Sequence, residues 1–323
     1  MNHRLMLLTW LLLLFLIACQ KQSKDVTATT YRNPFFGVNP TNTPQLLAPD
    51  LLASPAEEYN GAFSPDGKAF YYTTDIPENA FITFTYLQAD NTWSKPQVAP
   101  FSGYYSDFDP LSSPDGSKLF FSSSRPLPDN QNSKIWYVER TENGWTEPQS
   151  VTLTGSENNE FHSSITTQGD IYFNIWSTGN IYKASPSDTG YVVAALPDSF
   201  NADYNQGDPY ISPDEDYLIF RGYRGDSYGR GDLYISFKIN DSWTEPENLG
   251  EPINSAANEM CPMVSPDGKL FIFASSRITE RVLPDPLDPI TKVQDKFTSY
   301  NNGMMNIYYQ SADFIAELRK KYQ

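Results

Sequence analysis

The sequence predicts an all-β protein, a β-propeller made of four-stranded antiparallel blades. Three observations support this prediction: a turn motif recurs about every 50 residues, an aromatic-rich apolar stretch follows each copy, and helical periodicity is scarce before residue 314. The motif Ser-Pro-Asp-Gly occurs at 64–67, 113–116 and 265–268, with a variant at 212–215 and a degenerate copy at 166–169. A period of this length is typical of propellers and solenoids, and the missing helices argue against a helical solenoid.

Each copy of the motif predicts a hairpin between two strands. Serine first, proline second and glycine fourth are the residues that a type I turn favours. The stretches after the turns, such as 69–72, 119–121 and 217–220, have the composition of buried strands. A third strand follows each hairpin, and most of the fourth strands open with a tryptophan. Four short antiparallel strands per repeat make one propeller blade.

The fifth repeat has no fourth strand of its own. The segment Thr43–Pro49 resembles the outer strand at Lys95–Pro100, so we expect the N-terminal segment to complete the last blade. Such closure removes the open edges of the sheets. Five turns and one shared strand predict five blades in residues 44–310, followed by a helical tail at 311–323. Six blades would require a further degenerate unit of roughly 45 residues.

The start of the chain resembles a bacterial lipoprotein signal. Met1–Arg4 is basic, residues 5–18 are almost wholly apolar, and Leu16–Cys19 has the pattern of a lipobox. This resemblance implies a signal peptide at 1–18, a lipidated Cys19 and a polar tether at 19–43, with Gln20 favouring the outer membrane. We therefore expect a lipid-anchored protein of the bacterial cell envelope that faces the periplasm. An uncleaved anchor and an ordinary signal peptide are the alternatives.

Composition and missing motifs exclude several classes of function. A net charge of −16 argues against nucleic-acid binding, which needs a basic surface. The chain has two cysteines, which excludes a disulfide framework. It contains neither the Gly-x-Ser-x-Gly elbow of a hydrolase nor a phosphate-binding glycine loop. The sequence therefore assigns no catalytic residue, metal ligand or cofactor.

The repeat units resemble a known family. The hairpins, each preceded by an acidic residue and followed in three copies by Ser-Arg or Tyr-Arg, are similar to the WD-repeat-like propeller units of the TolB family of bacterial periplasmic proteins. Similar units occur in bacterial outer-membrane lipoproteins. The resemblance covers residues 44–310 and implies the propeller fold. It implies no activity, because propellers host enzymes, scaffolds and lectins alike.

Alignment of the repeats on the first residue of each turn reveals three columns of polar residues. The first column, six residues before the turn, contains Glu58, Asp107, Glu160, Gln206 and Glu259. The second column, four residues before the turn, contains Asn60, Asp109, His162, Asp208 and Cys261. The arginine column, twelve residues after the turn, contains Arg125, Arg224 and Arg277. We expect all three columns at one mouth of the central channel.

Two interpretations of these columns remain open. Arginine–carboxylate pairs between adjacent blades would hold the ring together, whereas a free acidic mouth would bind a polar or cationic ligand. We expect His162 to act as a hydrogen-bonding residue and Cys261 to be a small buried residue. The longest insertion, 278–303, would project from the same face and cover a partner or ligand.

The favoured function is that of a non-enzymatic binding or scaffold module, held at the membrane through its lipid. Its partner would be an envelope protein or a cell-wall glycan. The alternative is a glycan-binding or glycoside-hydrolase-like propeller that uses carboxylates at the channel mouth, for which two carboxylates at a defined separation are required. Calcium bound in an acidic ring is a further alternative, since calcium prefers oxygen ligands.

Overall fold

The computed structural model describes residues 29–128, 132–155, 157–201, 206–279, 285–287 and 289–323. The predicted signal peptide 1–18, Cys19 and the first part of the predicted tether lie outside the described residues. So does part of the 278–303 insertion. Among the described residues, no helix is both long and apolar enough to cross a membrane.

Five antiparallel sheets follow one another along the chain and form the blades of a propeller. The chain first forms a short strand, β1 (Gln45–Leu46). The first blade then comprises β2 (Glu57–Phe63), β3 (Ala69–Ile76), β4 (Asn79–Tyr86) and β5 (Gln97–Val98). The second blade comprises β6 (Asp107–Ser112), β7 (Lys118–Ser123), β8 (Lys134–Thr141), β9 (Gly144–Trp145) and β10 (Gln149–Ser150).

The remaining blades repeat this order. The third comprises β11 (Glu160–Ile165), β12 (Ile171–Ile175), β13 (Asn180–Ser187) and β14 (Gly190–Ala195). The fourth comprises β15 (Gly207–Ile211), β16 (Tyr217–Gly222), β17 (Asp232–Ile239), β18 (Ser242–Trp243) and β19 (Glu247–Asn248). The fifth comprises β20 (Glu259–Val264), β21 (Leu270–Ser275) and β22 (Asn306–Ser311). The innermost strands β2, β6, β11, β15 and β20 contact one another around the central channel.

The fifth blade is completed by the N-terminal segment, as the sequence predicted. Strand β1 pairs antiparallel with β22, with Gln45 opposite Tyr309 and Leu46 opposite Tyr308. The backbone N–H of Leu47 extends this pairing by donating to the carbonyl of Ile307 at 2.9 Å. The predicted five-bladed propeller with an N-terminal outer strand is therefore confirmed.

The Ser-Pro-Asp-Gly turns share one hydrogen-bond pattern. The serine hydroxyl donates to the aspartate two residues later, at 2.7 Å in the first blade and 2.6 Å in the second and fifth. The same oxygen accepts the backbone N–H that opens the next strand. The fourth residue of the turn has φ between +67° and +73°, a conformation that only glycine adopts without strain.

The fourth blade departs from this pattern at Glu215. This residue takes the place of the turn glycine and has φ of +58°. Its carboxylate accepts hydrogen bonds from Lys183 and Tyr172 of the third blade and from Lys238 of its own blade. These contacts lower the pKa of Glu215 to about 2, although burial acts in the opposite direction. The ion pairs therefore offset the strained backbone and join the two blades.

The segment before β1 lies on the first blade. Trp93 donates its indole N–H to the carbonyl of Asn33 at 2.8 Å, and its backbone N–H donates to the carbonyl of Tyr31 at 3.2 Å. Phe36 packs on Trp93 with ring centroids 4.1 Å apart and also contacts Phe63. The segment is therefore bound to the first blade before it reaches the fifth.

Four short helices lie outside the blades. These are α1 (Pro49–Leu52), α2 (Asp198–Asn201), α3 (Ile290–Phe297) in the 278–303 insertion, and α4 (Asp313–Arg319) near the C-terminus. After α4, Tyr322 packs against Phe237 of the fourth blade. Arg319 pairs with Asp216 at 2.9 Å. The C-terminal segment thus connects the fifth blade to the fourth.

The environment of Glu215 predicts acid sensitivity. Because its pKa is lowered in the folded chain, its stabilising contribution is present above pH 4.5 and lost as the pH falls towards about 2. We expect Glu215→Gln to lower the free energy of unfolding at neutral pH by about 1–2 kcal/mol, since the pairs are partly exposed to solvent. Urea unfolding at several pH values measures this difference, with exposed Glu245→Gln as control. A difference that stays constant down to pH 2 would contradict the assignment.

Candidate functional site

The residues of the second column form a ring of unusual backbone conformation around the channel. All five have a left-handed backbone, with φ between +49° and +58°, and each lies where a β-bulge shifts the register of an innermost strand. We call these residues the bulge ring: Asn60, Asp109, His162, Asp208 and Cys261. Asparagine, aspartate and histidine tolerate this conformation better than most residues, so the composition of the ring suits the backbone.

Small polar residues from the preceding blade hold the bulges. The backbone N–H of Asp109 donates to Thr73 Oγ1 at 3.0 Å, and that of His162 donates to Ser122 Oγ at 3.0 Å. The backbone N–H of Asp208 donates to Asn174 Oδ1 at 3.4 Å. Neighbouring blades are therefore joined at the level of the ring by one repeated contact.

The side chains of the bulge ring converge. His162 Nδ1 lies 3.6 Å from Asp109 Oδ1, and Ser122 donates to Asp109 Oδ2 at 3.2 Å. Asp208 accepts a hydrogen bond of 2.9 Å from Arg221 Nε. Burial raises the pKa of Asp208, but Arg221 and His162 outweigh it and hold that pKa below its ordinary value. Burial and the two nearby aspartates raise the pKa of the Cys261 thiol.

The first column does not line the channel mouth, which corrects the expectation for Glu58, Asp107, Glu160 and Glu259. Each of these side chains is buried within its own blade, where it binds the loop that leads into the innermost strand. Their partners in that loop are Ser54, Ser102, Thr154 and Ser255 respectively. The bulge explains the difference, because it interrupts the alternation of faces between the first column and the second.

The arginine column also acts within the blades. Arg125 pairs with Asp107 and also donates to the carbonyl of Phe101. Arg277 lies 3.2 Å from Glu259 and donates to the carbonyl of Pro252 at 3.0 Å. Arg224 donates to the carbonyls of Ser199 and Phe200. All three guanidinium groups lie over aromatic rings of their own blade, a favourable cation–π arrangement.

The first and third blades show how this arrangement varies. For the third blade, Lys134 takes the place of the arginine and lies 2.9 Å from Glu160. In the first blade, Ile76 occupies the arginine position, and the Glu58 carboxylate accepts hydrogen bonds from the backbone N–H and the hydroxyl of Ser54. Burial without a paired cation raises the pKa of Glu58 to about 7. The arginine and first columns therefore form cation–carboxylate pairs. The arginine pairs lie within single blades and not between adjacent blades as expected, whereas Lys134 belongs to β8 of the second blade and joins it to the third.

A cavity of about 650 Å³ opens at the channel mouth above the bulge ring. One side carries three aromatic rings, Phe108, Phe161 and Trp176, which we call the aromatic wall. Phe108 and Phe161 are stacked with centroids 5.5 Å apart, and Trp176 meets Phe161 edge to face at 6.1 Å. The side chain of Trp176 is 66% exposed, so its ring is available to a ligand.

The rest of the cavity is polar and mostly acidic. Its acidic lining residues are Glu57, Asp75, Asp109 and Asp208, with Arg221 as the lining cation. Tyr59 also lines the cavity, and amide and thioether side chains complete the lining: Asn159, Asn174, Asn258, Met260 and Met305. Burial and the neighbouring Asp75 raise the pKa of Glu57. The cavity therefore combines an apolar face with a set of hydrogen-bonding groups and a negative charge.

Only two of the residues predicted for the channel mouth, Asp109 and Asp208, line this cavity. His162 lies beside Asp109 but does not line the cavity. The three columns do not include Arg221 or the residues of the aromatic wall. Two further columns of the aligned repeats could have pointed to Phe108, Phe161 and Arg221. Positions next to the second column read Tyr59, Phe108, Phe161, Gly207 and Met260, and the column that supplies Thr73 and Ser122 continues with Arg221 in the fourth blade.

Comparisons with known proteins give structural neighbours only. No family model matches the chain, and no curated protein matches it. TolB from Acinetobacter baumannii is 16% identical, over 79% of this chain and 54% of that chain, with a TM-score of 0.47. The putative TolB from Agrobacterium tumefaciens is 16% identical over 80% of this chain and 91% of that chain, with a TM-score of 0.47. An α-L-arabinofuranosidase from Lactobacillus brevis is 13% identical over 81% of this chain and 93% of that chain, with a TM-score of 0.45.

These neighbours assign no activity. The chain spans about half the length of the Acinetobacter baumannii protein. The neighbours include both TolB proteins and glycosidases. The propeller fold is established by the five sheets themselves, and the function has to be argued from the cavity.

The first column predicts opposite effects for the same substitution in two blades. The raised pKa of Glu58 means that its contribution to stability is greatest below pH 4.5 and is lost as the pH rises through about 7. We expect Glu58→Gln to raise the free energy of unfolding by about 1–3 kcal/mol near pH 8, with little difference at acid pH. Denaturant unfolding across this pH range is the measurement.

Glu259→Gln is the matched control, because it changes the same column where a cation is present. It leaves the partly buried Arg277 without its carboxylate. We expect a loss of about 3–5 kcal/mol at neutral pH, the usual cost of breaking one side of a buried ion pair. Equal effects of the two substitutions would show that the missing cation at Ile76 does not determine the behaviour of Glu58.

Proposed function

We propose that this propeller is a non-catalytic binding module whose channel-mouth cavity takes a sugar unit of a cell-wall glycan. The observation that carries the proposal is the aromatic wall facing a hydrogen-bonding floor within one cavity. A sugar ring has an apolar C–H face and a rim of hydroxyl groups. It therefore needs an aromatic surface on one side and polar acceptors and donors on the other. A volume of about 650 Å³ lies within the usual range of ligand sites.

The charges in the cavity restrict the ligand further. Carboxylates outnumber cations in the lining, so phosphate and other strongly anionic groups are unfavourable. Neutral or amino sugars suit this field, because hydroxyl and ammonium groups donate hydrogen bonds to carboxylates. Arg221 is already bound to Asp208, which leaves the amide side chains as the main donors to the ligand.

The bonding of the ring carboxylates favours binding over hydrolysis. A glycosidase needs one carboxyl group as acid and another as base or nucleophile, both directed at the same bond. Asp208 accepts a hydrogen bond from Arg221, and Asp109 accepts one from Ser122. The four carboxylates of the first column lie inside the blades. Few acids therefore remain free to act on a bound glycan.

Hydrolysis is the second candidate function, and one observation favours it. The pKa of Glu57 is raised while the pKa of Asp208 is lowered, and both residues line the cavity. Carboxyl groups whose pKa values are moved apart are typical of an acid and its paired base. Release of reducing sugar from glycans, compared between the unaltered chain and Glu57→Gln, distinguishes an enzyme from a binding protein.

The binding proposal is tested by titrating the full chain with soluble peptidoglycan fragments and neutral polysaccharides in a calorimeter. We expect Trp176→Ala to weaken binding at least tenfold, about 1.4 kcal/mol, because it removes the exposed part of the aromatic wall. Trp176 is largely exposed, so the melting temperature should stay close to that of the unaltered chain.

Tyr104→Ala is the control for this experiment. Tyr104 is 87% exposed and does not line the cavity, so this variant should bind as the unaltered chain does. Binding that survives Trp176→Ala would contradict the assigned site. Absence of heat with every glycan, together with absence of any thermal stabilisation, would contradict the assigned ligand class.

We also propose that the module is held at a bacterial membrane through a lipid on Cys19, as the lipobox-like Leu16–Cys19 suggests. Several acyl chains on one residue anchor a protein stably, whereas one chain binds marginally. We expect cells fed an alkyne-tagged fatty acid to label the unaltered chain and not Cys19→Ser. Cys261→Ser serves as the control and should label fully, because Cys261 is buried. Equal labelling of Cys19→Ser would contradict the anchor.

A further inference from the structure

We propose that Asp109, His162 and Cys261 bind a transition-metal ion of the zinc type on the axis of the propeller. Each residue offers one ligand atom, a carboxylate oxygen, an imidazole nitrogen or the thiol sulfur, and these atoms all lie within 4.8 Å of one another. Among the described residues, this is the one group of three such side chains that meets this distance. The proposal is independent of glycan binding.

The fold brings these three residues together from distant parts of the sequence. They occupy the same position in the second, third and fifth blades, and all three belong to the bulge ring. From the sequence alone, His162 is expected to be a hydrogen-bonding residue and Cys261 a small buried residue. Closure of the ring places the cysteine of the fifth blade within reach of the histidine of the third.

The buried imidazole of His162 gives a second indication, separate from the distances, that an ion binds here. Its side chain is 5% exposed, and Nδ1 has no hydrogen-bond partner. Asp109 Oδ1 lies 3.6 Å from Nδ1, which is too long for a hydrogen bond. A buried polar atom without a partner costs about 1–3 kcal/mol. A metal ion placed between the nitrogen, the carboxylate and the sulfur would satisfy it.

The donor set selects the kind of metal. Sulfur and imidazole ligands suit Zn²⁺ and the neighbouring first-row ions, whereas Ca²⁺ and Mg²⁺ prefer oxygen. This argues against the calcium alternative at this position. A carboxylate beside the trio, Asp208, is bound by Arg221 Nε, so Asp109 is the carboxylate that the trio itself contributes.

Three protein ligands leave a coordination position free. Structural zinc sites usually have four protein ligands, whereas sites that bind further molecules keep one position open. Asp109 is both a member of the trio and part of the cavity lining. The open position would therefore lie near the floor of the cavity. A metal ion there would bind an oxygen or nitrogen atom of a ligand.

The test uses Co²⁺ as a spectroscopic substitute for Zn²⁺ on the full chain carrying Cys19→Ser, so that Cys261 is the sole thiol. After treatment with a chelator, we expect one equivalent of Co²⁺ to bind and to give a sulfur-to-cobalt charge-transfer band in the near ultraviolet. Intense visible bands would indicate four-coordinate geometry. Zn²⁺ should displace the cobalt and abolish both signals.

Two variants and one control localise the ion. Cys261→Ser should abolish the charge-transfer band, and His162→Ala should weaken cobalt binding at least tenfold. Asn60→Gly changes a bulge-ring residue outside the trio, keeps the left-handed backbone accessible and should bind cobalt as before. Near-ultraviolet circular dichroism of each variant checks that the propeller remains folded.

The spectrum of the chain with Cys261 intact decides the proposal even if a variant fails to fold. Absence of a charge-transfer band at one equivalent of Co²⁺ would overturn it, and so would a band that persists in folded Cys261→Ser. No glycan is present in these titrations. A failed glycan experiment therefore leaves the metal proposal standing, and a failed metal experiment leaves the glycan proposal standing.

Discussion

The pairing of β1 with β22 is the contact on which the rest of the structure depends. Two residue pairs join the start of the propeller to its end, and backbone hydrogen bonds from Leu47 to Ile307 and from Ser311 to Thr41 extend them. Without them, β22 would be an unpaired edge, and the fifth blade would lack its outer strand. The bulge ring needs this closure, because it is assembled from all five innermost strands. The converging side chains and the cavity above them are therefore consequences of a short strand at Gln45–Leu46.

Residues that repeat in the blades and residues that vary have different roles. The first column keeps a carboxylate in four blades, and in each the carboxylate binds the loop that enters the same blade. The second column keeps its backbone conformation but carries four different residue types in its five positions. The bulge requires only a residue that tolerates a left-handed conformation. The side chain there is consequently available for a site, and this is where the candidate chemistry lies.

Much of the fold followed from the sequence, because turn chemistry and hydrophobic stretches are local signals. The period of the Ser-Pro-Asp-Gly turns and the likeness of Thr43–Pro49 to Lys95–Pro100 were sufficient to predict five blades and their closure. The site was less accessible. One bulge in each innermost strand changes which face a side chain takes, and no residue type marks a bulge unambiguously. Glu58 and Glu259 were therefore placed at the mouth, whereas Arg221 and Trp176 were missed.

The segment before β1 has a mechanical consequence. A pull on the chain from its N-terminal side reaches the first blade before it reaches the closing strand, since Tyr31, Asn33 and Phe36 are bound to Trp93. The load would be carried by the aromatic contacts and hydrogen bonds between this segment and the first blade, and the short pairing of β1 with β22 would remain unstressed. The propeller is thus protected against being peeled open by a pull from its N-terminal side.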